Sequence, residues 1–360
     1  MDPRRGIGNW IWRDRPHGAD APGRYYARPV RDASGDLLAV DILCRAGTVS
    51  AWRAGPDMAL AWAASRTDRE GARLLAQLRA IGIATTRRVA PPLVMGIVNV
   101  TPDSFSDGGK AETHAAAIAQ GDRLAAEGAA ILDVGGESTR PGSGGVSLEE
   151  EWRRIAPVLE HLVGAGHTVS VDTRKAEVMR RAIALGVPVI NDVTALTHEP
   201  ASLPVVAGAG VEVVLMHSQG DPSVMQQDPT YDDVVLDVFD WLEERVRACT
   251  EAGIAPGRLV IDPGIGFGKT WHQNLALLRH LPLFEALGCR MLVGASRKAF
   301  IGWLTGVETA GDRLGGSVGA ALAAVEGGAD IVRVHDVAPT AQALAVRHAA
   351  VHGLPAAPRG

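Results

Sequence analysis

Cysteine is scarce in this chain of 360 residues, which holds only Cys44, Cys249 and Cys289 and no Cys-x-x-Cys pair. Cysteines so few and so far apart argue against a disulfide framework and against a zinc site. Long apolar runs are also missing. No stretch approaches the roughly 20 residues of a membrane helix, and the N-terminus lacks the apolar segment of a signal peptide. We therefore expect a cytoplasmic protein without a membrane partner.

A surplus of basic residues is absent as well, since 36 Lys and Arg stand against 41 Asp and Glu and give a net charge of −5. This balance argues against a nucleic-acid partner, because such proteins normally carry a basic surface. Phosphorylated small molecules stay possible, because a few local Arg, Lys and backbone N–H groups suffice to bind them. With 46% hydrophobic and 21% charged residues, the chain can build a large core.

From Leu93 onward one pattern occurs eight times: a short apolar run ending in polar residues or glycine, then an amphipathic helical segment. Apolar runs of this kind are typical of parallel strands that are buried on both faces. The runs are Leu93–Val100, Ala129–Gly135, Thr168–Asp172, Val187–Asn191, Val211–His217, Arg258–Asp262, Met291–Gly294 and Asp330–His335. Eight such units predict an α/β fold, a (β/α)8 TIM barrel over residues 91–360, and not an open doubly wound sheet.

Residues 1–90 lie outside this repeat and are predicted to form a small α+β extension of unknown role. Tyr25–Val30 and Leu37–Cys44 flank a turn at residues 34–36, which is the pattern of a β-hairpin. Thr67–Ile81 is predicted to be helical, and Arg87–Pro92 a linker. We expect the tryptophans of the extension to pack against the barrel or a second subunit; they are Trp10, Trp12, Trp52 and Trp62.

Polar residues close the apolar runs. Seven runs end in Asn99, Asp133, Asp172, Asn191, His217, Asp262 and the pair Arg333 and His335, and the remaining run leads into Ser296 and Lys298. In a barrel all these positions lie on the C-terminal face, where the loops after the strands build the active site. Stability alone does not require a polar group at every strand end, so we expect the functional site here.

Two loops suit phosphate and metal chemistry. The carbonyl oxygen of Asn99 can bind Mg²⁺, and the polar segment up to Gly109 is long enough for a mobile lid, although its composition also suits an ordinary turn. The segment Gly135–Gly142 places Ser and Thr hydroxyls beside Arg140, which suits a diphosphate or a carboxylate. Its alternative is a helix-capping loop with a solvated arginine.

Asp172, Asn191 and Asp262 each close a buried strand. Carboxylates accept hydrogen bonds from ring N–H groups and an amide both donates and accepts, so this set suits the edge of a flat heterocycle such as a pterin. The alternative is that these residues cap the following helices or pair inside the barrel. Asp262 also begins a glycine loop that resembles a P-loop, but Pro263 stands where its first glycine is required, so nucleotide binding is rejected. Phe267 is instead available to pack on a ring.

The last two strand ends carry cations. Lys298 can form a Schiff base or donate to a ring carbonyl, and nearby Ser296 can hold the carboxylate of a second substrate. Arg333 and His335 lie at alternate positions and so on one face of a strand. Barrels often bind phosphate near their last two strands, so this pair is predicted to hold a diphosphate. An internal ion pair of Arg333 with an acid is the alternative.

Eight strings, in this order, closely resemble the dihydropteroate synthase family. They are MGIVNVTPDSFSDGG from Met95, GGESTRPG from Gly135, VDT from Val171, IND from Ile190, LMH from Leu215, DPGIGFGKT from Asp262, GASRKAFIG from Gly294 and VRVHDV from Val332. One string alone is only suggestive, whereas eight in family order are specific. The resemblance covers residues 93–347. Small departures from the family pattern at Ser218, Gln219 and Ala299 leave its functional residues unchanged.

The resemblance implies an enzyme of folate biosynthesis, a homodimeric transferase that needs Mg²⁺ and is a sulfonamide target. Its substrates are 6-hydroxymethyl-7,8-dihydropterin diphosphate and p-aminobenzoate, and its products are 7,8-dihydropteroate and diphosphate. The resemblance implies a pterin pocket of Asp172, Asn191, Met216, Asp262, Phe267 and Lys298. It places the diphosphate at Asn99 with its Mg²⁺, Thr139, Arg140, Arg333 and His335, and p-aminobenzoate at Phe105, Pro141 and Ser296. Its catalytic residues are Asp107, Asp172, Asp262 and Lys298.

Three other functions stay open at this point. A methyltetrahydrofolate methyltransferase would share the pterin pocket but would not need the diphosphate-binding residues or the TPDSFSD loop, which this chain has. A non-catalytic homologue would bind a pterin or serve as an interaction protein. A Schiff-base aldolase would use Lys298 as its nucleophile.

Overall fold

The computed structural model describes residues 10–14, 21–88, 90–101, 110–137, 145–220 and 229–353. Its N-terminal part forms a four-stranded sheet, in the order β1-β4-β3-β2, with two helices. These elements are β1 Ile11–Trp12, β2 Arg24–Arg31, β3 Leu37–Ala46, β4 Thr48–Ala54, α1 Pro56–Ser65 and α2 Arg69–Arg87. Strands β2 and β3 pair antiparallel, which confirms the predicted hairpin. Strand β4 and helix α1 were not predicted, and α2 extends six residues beyond Ile81 into the predicted linker.

The rest of the described chain forms a closed barrel of eight parallel strands, which confirms the predicted fold. The strands are β5 Leu93–Asn99, β6 Ile131–Gly135, β7 Val169–Asp172, β8 Val189–Asp192, β9 Glu212–Met216, β10 Leu259–Asp262, β11 Arg290–Val293 and β12 Ile331–Val334. Strand β12 pairs with β5 and closes the barrel. Seven strands each contribute one buried residue to a separate apolar cluster, comprising Met95, Ile131, Val189, Val214, Val260, Leu292 and Ile331. This cluster fills the barrel as a layer of side chains, so the barrel is a packed core and not a pore.

Helices lie between the strands and cover the barrel. They are α3 Lys110–Ala126, α4 Leu148–Gly164, α5 Ala176–Ala184, α6 Ser202–Ala209, α7 Val234–Glu251, α8 Trp271–Arg279, α9 Ala299–Thr305, α10 Leu314–Glu326 and, after the last strand, α11 Val337–His352. The repeat predicts one helical segment between the apolar runs Arg258–Asp262 and Met291–Gly294, and its sequence pattern covers residues 272–287. Helix α8 instead ends at Arg279, and Pro282 starts a short 3-10 helix, Leu281–Leu287, because proline cannot continue the α-helical hydrogen bonding. None of the helices within the described ranges is long and apolar enough to cross a membrane.

The extension packs against the barrel at α7 and at the 3-10 helix of residues 281–287. Tyr26 lies against Phe239, with ring centroids 5.5 Å apart, and Phe239 lies against Phe284 at 6.1 Å. Arg31 forms an ion pair with the buried Glu285 at 2.6 Å. The buried apolar residues of the extension and the barrel belong to one core cluster. The extension is therefore docked by both apolar burial and charge pairing.

The tryptophans of the extension have different positions. Trp52 and Trp62 lie against Tyr25 inside the extension itself, at 6.4 and 5.2 Å between ring centroids. Trp10 reaches the barrel, where its ring lies 4.4 Å from that of His280. Trp12 remains about half exposed. The predicted packing against the barrel or a second subunit is thus confirmed at the barrel for Trp10, whereas Trp52 and Trp62 pack within the extension.

Candidate active site

The centre of the candidate site is the guanidinium of Arg333, which projects from β12 at the C-terminal face of the barrel. Its Nε donates to Oδ2 of Asp133 at 2.6 Å, and one Nη donates to Oδ2 of Asp172 at 2.8 Å. Asn191 donates from Nδ2 to the same Asp133 oxygen at 3.0 Å. Barrel closure thus joins strands β6, β7, β8 and β12 through one network of charged hydrogen bonds. Each bond of this kind contributes about 1.5–3 kcal/mol when formed.

Burial controls the charges of this network. Burial raises the pKa of Asp172, although the neighbouring guanidinium of Arg333 opposes the shift. Burial also opposes the charge of Arg333, but the carboxylates of Asp133 and Asp172 outweigh it and keep the pKa of Arg333 above its ordinary value. Within the described chain, Oδ1 of the fully buried Asp133 has no hydrogen-bond partner. A buried acceptor of this kind is suited to a donor on a bound ligand or water.

Asp262 lies on the opposite side of the barrel mouth, at the end of β10. Its Oδ1 accepts a hydrogen bond from Gly264 N at 2.8 Å, and the side chain is almost completely buried. Burial raises the pKa of Asp262 to about 6, against the opposing effects of that hydrogen bond and of Lys298. The carboxylate is therefore mostly ionised at pH 7 and can accept hydrogen bonds from a ligand.

The glycine loop, residues 263–269, passes next to Asp262 and is held by a buried lysine. Lys269 Nζ donates to the carbonyls of Phe267 at 2.8 Å and Gly264 at 3.0 Å, and lies 3.0 Å from Nδ1 of His217. Gly264 has φ +70°, and a Cβ there would lie 1.9 Å from the His217 carbonyl oxygen, so only glycine fits. Lys269 thus ties the loop to the end of β9. Nζ also lies 3.3 Å from the His217 carbonyl oxygen, so Lys269 has four protein partners, which agrees with the rejection of a P-loop.

Lys298 and Phe267 are in direct contact with each other. Lys298 Nζ lies 4.0 Å from the centroid of the Phe267 ring, within the range of a cation–π contact. Burial lowers the pKa of Lys298 to about 8, with Arg333 acting in the same direction. The amine is therefore mostly protonated at pH 7. Met216, at the end of β9, is buried and offers an apolar surface at the same face of the barrel.

Ser296 and His335 are hydrogen bonded to each other, although the sequence assigned them to different substrates. Ser296 Oγ lies 3.1 Å from His335 Nδ1 and also accepts from the His335 backbone N–H at 3.2 Å. Burial and, to a smaller extent, the nearby arginines Arg297 and Arg333 lower the pKa of His335 to about 3. His335 is therefore neutral at pH 7. The pair Arg333 and His335 presents one charge and one neutral ring, not the two cations that the pattern allowed.

The ion pairs of Arg333 with Asp133 and Asp172 are the internal arrangement that the sequence left as the alternative to a phosphate contact. Both arrangements remain compatible, because a guanidinium has five N–H donors and these ion pairs use two of them. The role of Arg333 toward a diphosphate thus stays a prediction.

Asn99 ends β5 and is paired with Gly135 of β6, so its carboxamide lies at the barrel mouth. The described residues contain no group of three or more His, Cys, Asp or Glu able to hold a metal ion. A single amide oxygen fits Mg²⁺ only where phosphate oxygens and water supply the other ligands, which is the usual way proteins bind this ion. Asn99 suits such a site, and its metal role stays a prediction.

Several predicted residues lie outside the described part of the chain. They are Phe105, Asp107, Thr139, Arg140 and Pro141. Among the described residues, sequence reasoning gave no role to Asp133, Lys269 or Tyr231. Asp133 was visible as a polar residue in an apolar run, and Lys269 as part of the glycine loop. Tyr231 had no signal, because its contact with Gly268 depends on the packing of two loops.

A cavity of about 530 Å³ lies at the other end of the barrel, between the extension and α11. Arg31, Arg87, Arg290 and Arg347 are among its lining residues, together with residues at the starts of β5 and β11. None of the predicted site residues lines this cavity. Most of its arginines are already paired with acids, for example Arg31 with Glu285, so we assign it no ligand.

Comparison with known proteins agrees with this geometry. The family model described as "Pterin binding enzyme" matches residues 95–335, which is more than half of the chain and excludes the extension. The dihydropteroate synthase of Neisseria meningitidis serogroup B is 52% identical over 260 residues, covering 71% of this chain and 91% of the relative.

Two solved structures of Xanthomonas albilineans dihydropteroate synthase are similar to this chain. One, with 4-aminobenzoic acid, has a TM-score of 0.70 and 53% identity, and the match covers 74% of this chain and 95% of the other. The other, in complex with 7,8-dihydropteroate, has a TM-score of 0.67 and 51% identity, covering 74% and 96%. Sequence, fold and site geometry agree, and the chain belongs to the dihydropteroate synthase family of pterin-binding enzymes.

Proposed function

We propose that the barrel joins 6-hydroxymethyl-7,8-dihydropterin diphosphate to p-aminobenzoate and releases 7,8-dihydropteroate and diphosphate. The observation that carries this proposal is the meeting of Asp172, Asn191, Asp262, Lys298 and Arg333 at one end of the barrel, in a chain of this family. These groups supply acceptors, donors and positive charge around one space, which is what a pterin with an anionic leaving group requires.

The pterin ring is held by groups of opposite hydrogen-bonding character. Asp262, ionised above a pKa of about 6, accepts from ring N–H groups, and Lys298, protonated below about 8, donates to the ring carbonyl. Asn191 is oriented by its bond to Asp133 and presents its carbonyl oxygen to the ligand. Phe267 and Met216 provide the apolar walls. Asp262 is ionised and Lys298 is protonated at the same time only between about pH 6 and pH 8.

The diphosphate lies toward Asn99, Arg333 and His335 in this proposal, and the family resemblance adds Thr139 and Arg140 as its contacts. Mg²⁺, bound by Asn99 and phosphate oxygens, would neutralise the charge that develops on the leaving group. Arg333 adds a fixed positive charge, because its two carboxylate partners hold the guanidinium in place. Neutral His335 can donate one N–H without adding charge. Preorganised donors of this kind stabilise a departing anion without reorganisation cost.

The reaction needs little further chemistry from the protein. The aromatic amine nitrogen supplies the electron pair for the new C–N bond while the C–O bond to diphosphate breaks. The methylene carbon becomes electron-poor at that point, and the carboxyl groups of Asp172 and Asp262 stabilise it. The amine loses its proton to water or to the leaving diphosphate, so no strong base is required. The protein contributes mainly by positioning the reactants and by electrostatics.

In this proposal p-aminobenzoate binds at Ser296 and, by family resemblance, at Phe105 and Pro141, and Asp107 is a catalytic residue. Ser296 is nearly buried, and its oxygen accepts from the His335 backbone N–H. In the proposal its hydroxyl turns from His335 Nδ1 to donate to the carboxylate when p-aminobenzoate binds. A sulfonamide resembles p-aminobenzoate in shape and in its aromatic amine, so it should compete for this site. We also propose that the enzyme is a cytoplasmic homodimer. The family resemblance supports the dimer, and three buried cysteines without a disulfide are compatible with a reducing compartment.

The direct test is dihydropteroate formation by purified protein from the two substrates, with Mg²⁺ and with excess EDTA. We expect product that depends on Mg²⁺, and competitive inhibition by a sulfonamide against p-aminobenzoate. The variant Asp172→Asn should lose turnover while its fold is retained. Asp192→Asn is a matched control, because Asp192 is a buried acid at a neighbouring strand end whose carboxylate accepts hydrogen bonds from residues 194 and 196 and not from Arg333. Clear pterin binding without product would instead indicate a non-catalytic or methyl-transferring relative.

A further inference from the structure

The extension holds the start of helix α7 through two hydrogen bonds. Trp10 Nε1 donates to Oδ2 of Asp233 at 3.0 Å, and Arg45 Nη1 donates to Oδ1 of Asp237 at 2.6 Å. The other oxygens of both acids cap the helix. Oδ1 of Asp233 accepts from the N–H groups of residues 235 and 236, and Oδ2 of Asp237 accepts from those of residues 232 and 233. The two acids that begin α7 are therefore fixed by the extension and by the helix together.

The residues just before α7 touch the glycine loop of the site. Tyr231 is buried, and its hydroxyl donates to the Gly268 carbonyl at 2.8 Å. Gln219 uses both ends of its side-chain amide to bind the backbone of Thr230, at 2.9 and 3.1 Å. A Cβ at Gly268 would lie 2.6 Å from the backbone oxygen of Gln219, so the glycine loop is in direct contact with the segment that contains Gln219. The position of Tyr231 therefore affects the position of the glycine loop.

The glycine loop in turn determines where Phe267 lies. Lys269 binds the Phe267 carbonyl on one side, and Tyr231 binds the next carbonyl, that of Gly268, on the other. The carbonyls of Phe267 and Gly268 are thus both hydrogen bonded, and the Phe267 ring lies against Lys298. A short series of contacts thus links the extension, the start of α7, Tyr231 and the aromatic wall of the site. Asp237 lies only six positions after Tyr231, and the helix caps make this segment rigid.

We propose that the N-terminal extension is a positioning element for the pterin site, acting through Trp10 and Arg45 on Tyr231 and the glycine loop. This inference rests on the proposed function, since it assigns Phe267 to the pterin. It gives the extension a role beyond stability: the extension sets the affinity for the pterin substrate and leaves p-aminobenzoate affinity unchanged. Trp10, Arg45 and Tyr231 are positioning residues, because none of them touches the substrate.

The test compares single variants of the full chain. Trp10→Phe removes one hydrogen bond and keeps the ring, Arg45→Ala removes the other, and Tyr231→Phe removes the link to Gly268. Arg24→Ala is the matched control, because Arg24 binds Asp240 and Glu243 farther along the same face of α7. KM for each substrate, kcat and the melting temperature are measured for every variant, together with Kd for 6-hydroxymethylpterin. Arg45→Lys tests whether a side chain that keeps the positive charge restores the affinity for the pterin substrate.

We expect Trp10→Phe, Arg45→Ala and Tyr231→Phe to raise KM for the pterin substrate by about 3- to 30-fold, the range of energetic coupling between linked residues. KM for p-aminobenzoate should stay within about twofold, and Arg45→Lys should recover most of the loss. The double variant Arg45→Ala/Tyr231→Phe should have a pterin KM no higher than that of the more affected single variant, because both changes break the same series of contacts.

Equal effects of Arg45→Ala and Arg24→Ala on pterin KM would overturn the proposal, since the extension would then act only through stability. Additive losses in the double variant would overturn it as well, because the two residues would act independently. Unchanged pterin KM in all variants would have the same meaning. A wild-type chain that forms no dihydropteroate would refute the proposed function instead. In that case the Kd values for 6-hydroxymethylpterin still decide whether the extension positions the pterin site.

Discussion

Replacing Asp133 by asparagine tests the centre of the site, because Asp133 orients both Arg333 and Asn191. The side chain is fully buried, and Oδ2 accepts from Arg333 at 2.6 Å and from Asn191 at 3.0 Å. Asparagine keeps one acceptor oxygen and the same shape but removes the charge. Hydrogen bonds to charged groups contribute about 1.5–3 kcal/mol and neutral ones about 1 kcal/mol, so we expect the free energy of unfolding to fall by about 1–3 kcal/mol.

The loss of orientation should also weaken pterin binding. We expect Kd for 6-hydroxymethylpterin to rise about tenfold, equivalent to about 1.4 kcal/mol. Urea unfolding gives the stability, and titration under conditions where each variant is fully folded gives the affinity. Asp192→Asn is the control, because it removes the charge of an equally buried acid whose hydrogen bonds stabilise only the turn at residues 194–196. A variant Asp133→Asn that is destabilised like Asp192→Asn yet binds pterin as tightly as wild type would refute the reasoning.

Three other predictions follow from the same geometry. For the pterin substrate, kcat/KM should rise as the pH passes about 6, where Asp262 ionises, and fall above about 8, where Lys298 loses its proton; a profile without an acid limb, or one unchanged by Asp262→Asn, would contradict this. Arg333→Ala and His335→Ala should weaken binding of the diphosphate-bearing pterin more than binding of a pterin without phosphate, and equal losses for both ligands in calorimetric titrations would count against the assigned diphosphate contacts. Lys269→Met should raise pterin KM and lower the melting temperature, because the carbonyls of residues 264 and 267 lose their buried donor; an unchanged KM would show that the loop keeps its shape without it.

Local sequence patterns determined the barrel and indicated the face that carries the candidate site. Predicted strand Leu93–Val100 is β5, and Asp330–His335 contains β12, because an apolar run between helical segments has few other ways to be buried. Since strand ends in a barrel meet at one face, the polar residues at those ends predicted the site before any contact was known. The predictions that were wrong concern single elements, such as the helical segment over residues 272–287, which is divided near Pro282 into α8 and a 3-10 helix.

Only the tertiary structure decided which of those polar groups contact one another. Asp133 and Arg333 are 200 positions apart in the chain and are joined by closure of the barrel, so no local pattern could predict their ion pair. The same holds for Tyr231 with Gly268 and for the Trp10 and Arg45 contacts with α7, which depend on how the extension docks. Strand and helix formation depends on neighbours along the chain, which the sequence displays. Side-chain pairing, burial and the pKa values that result from them depend on distant residues, which only the folded chain brings together.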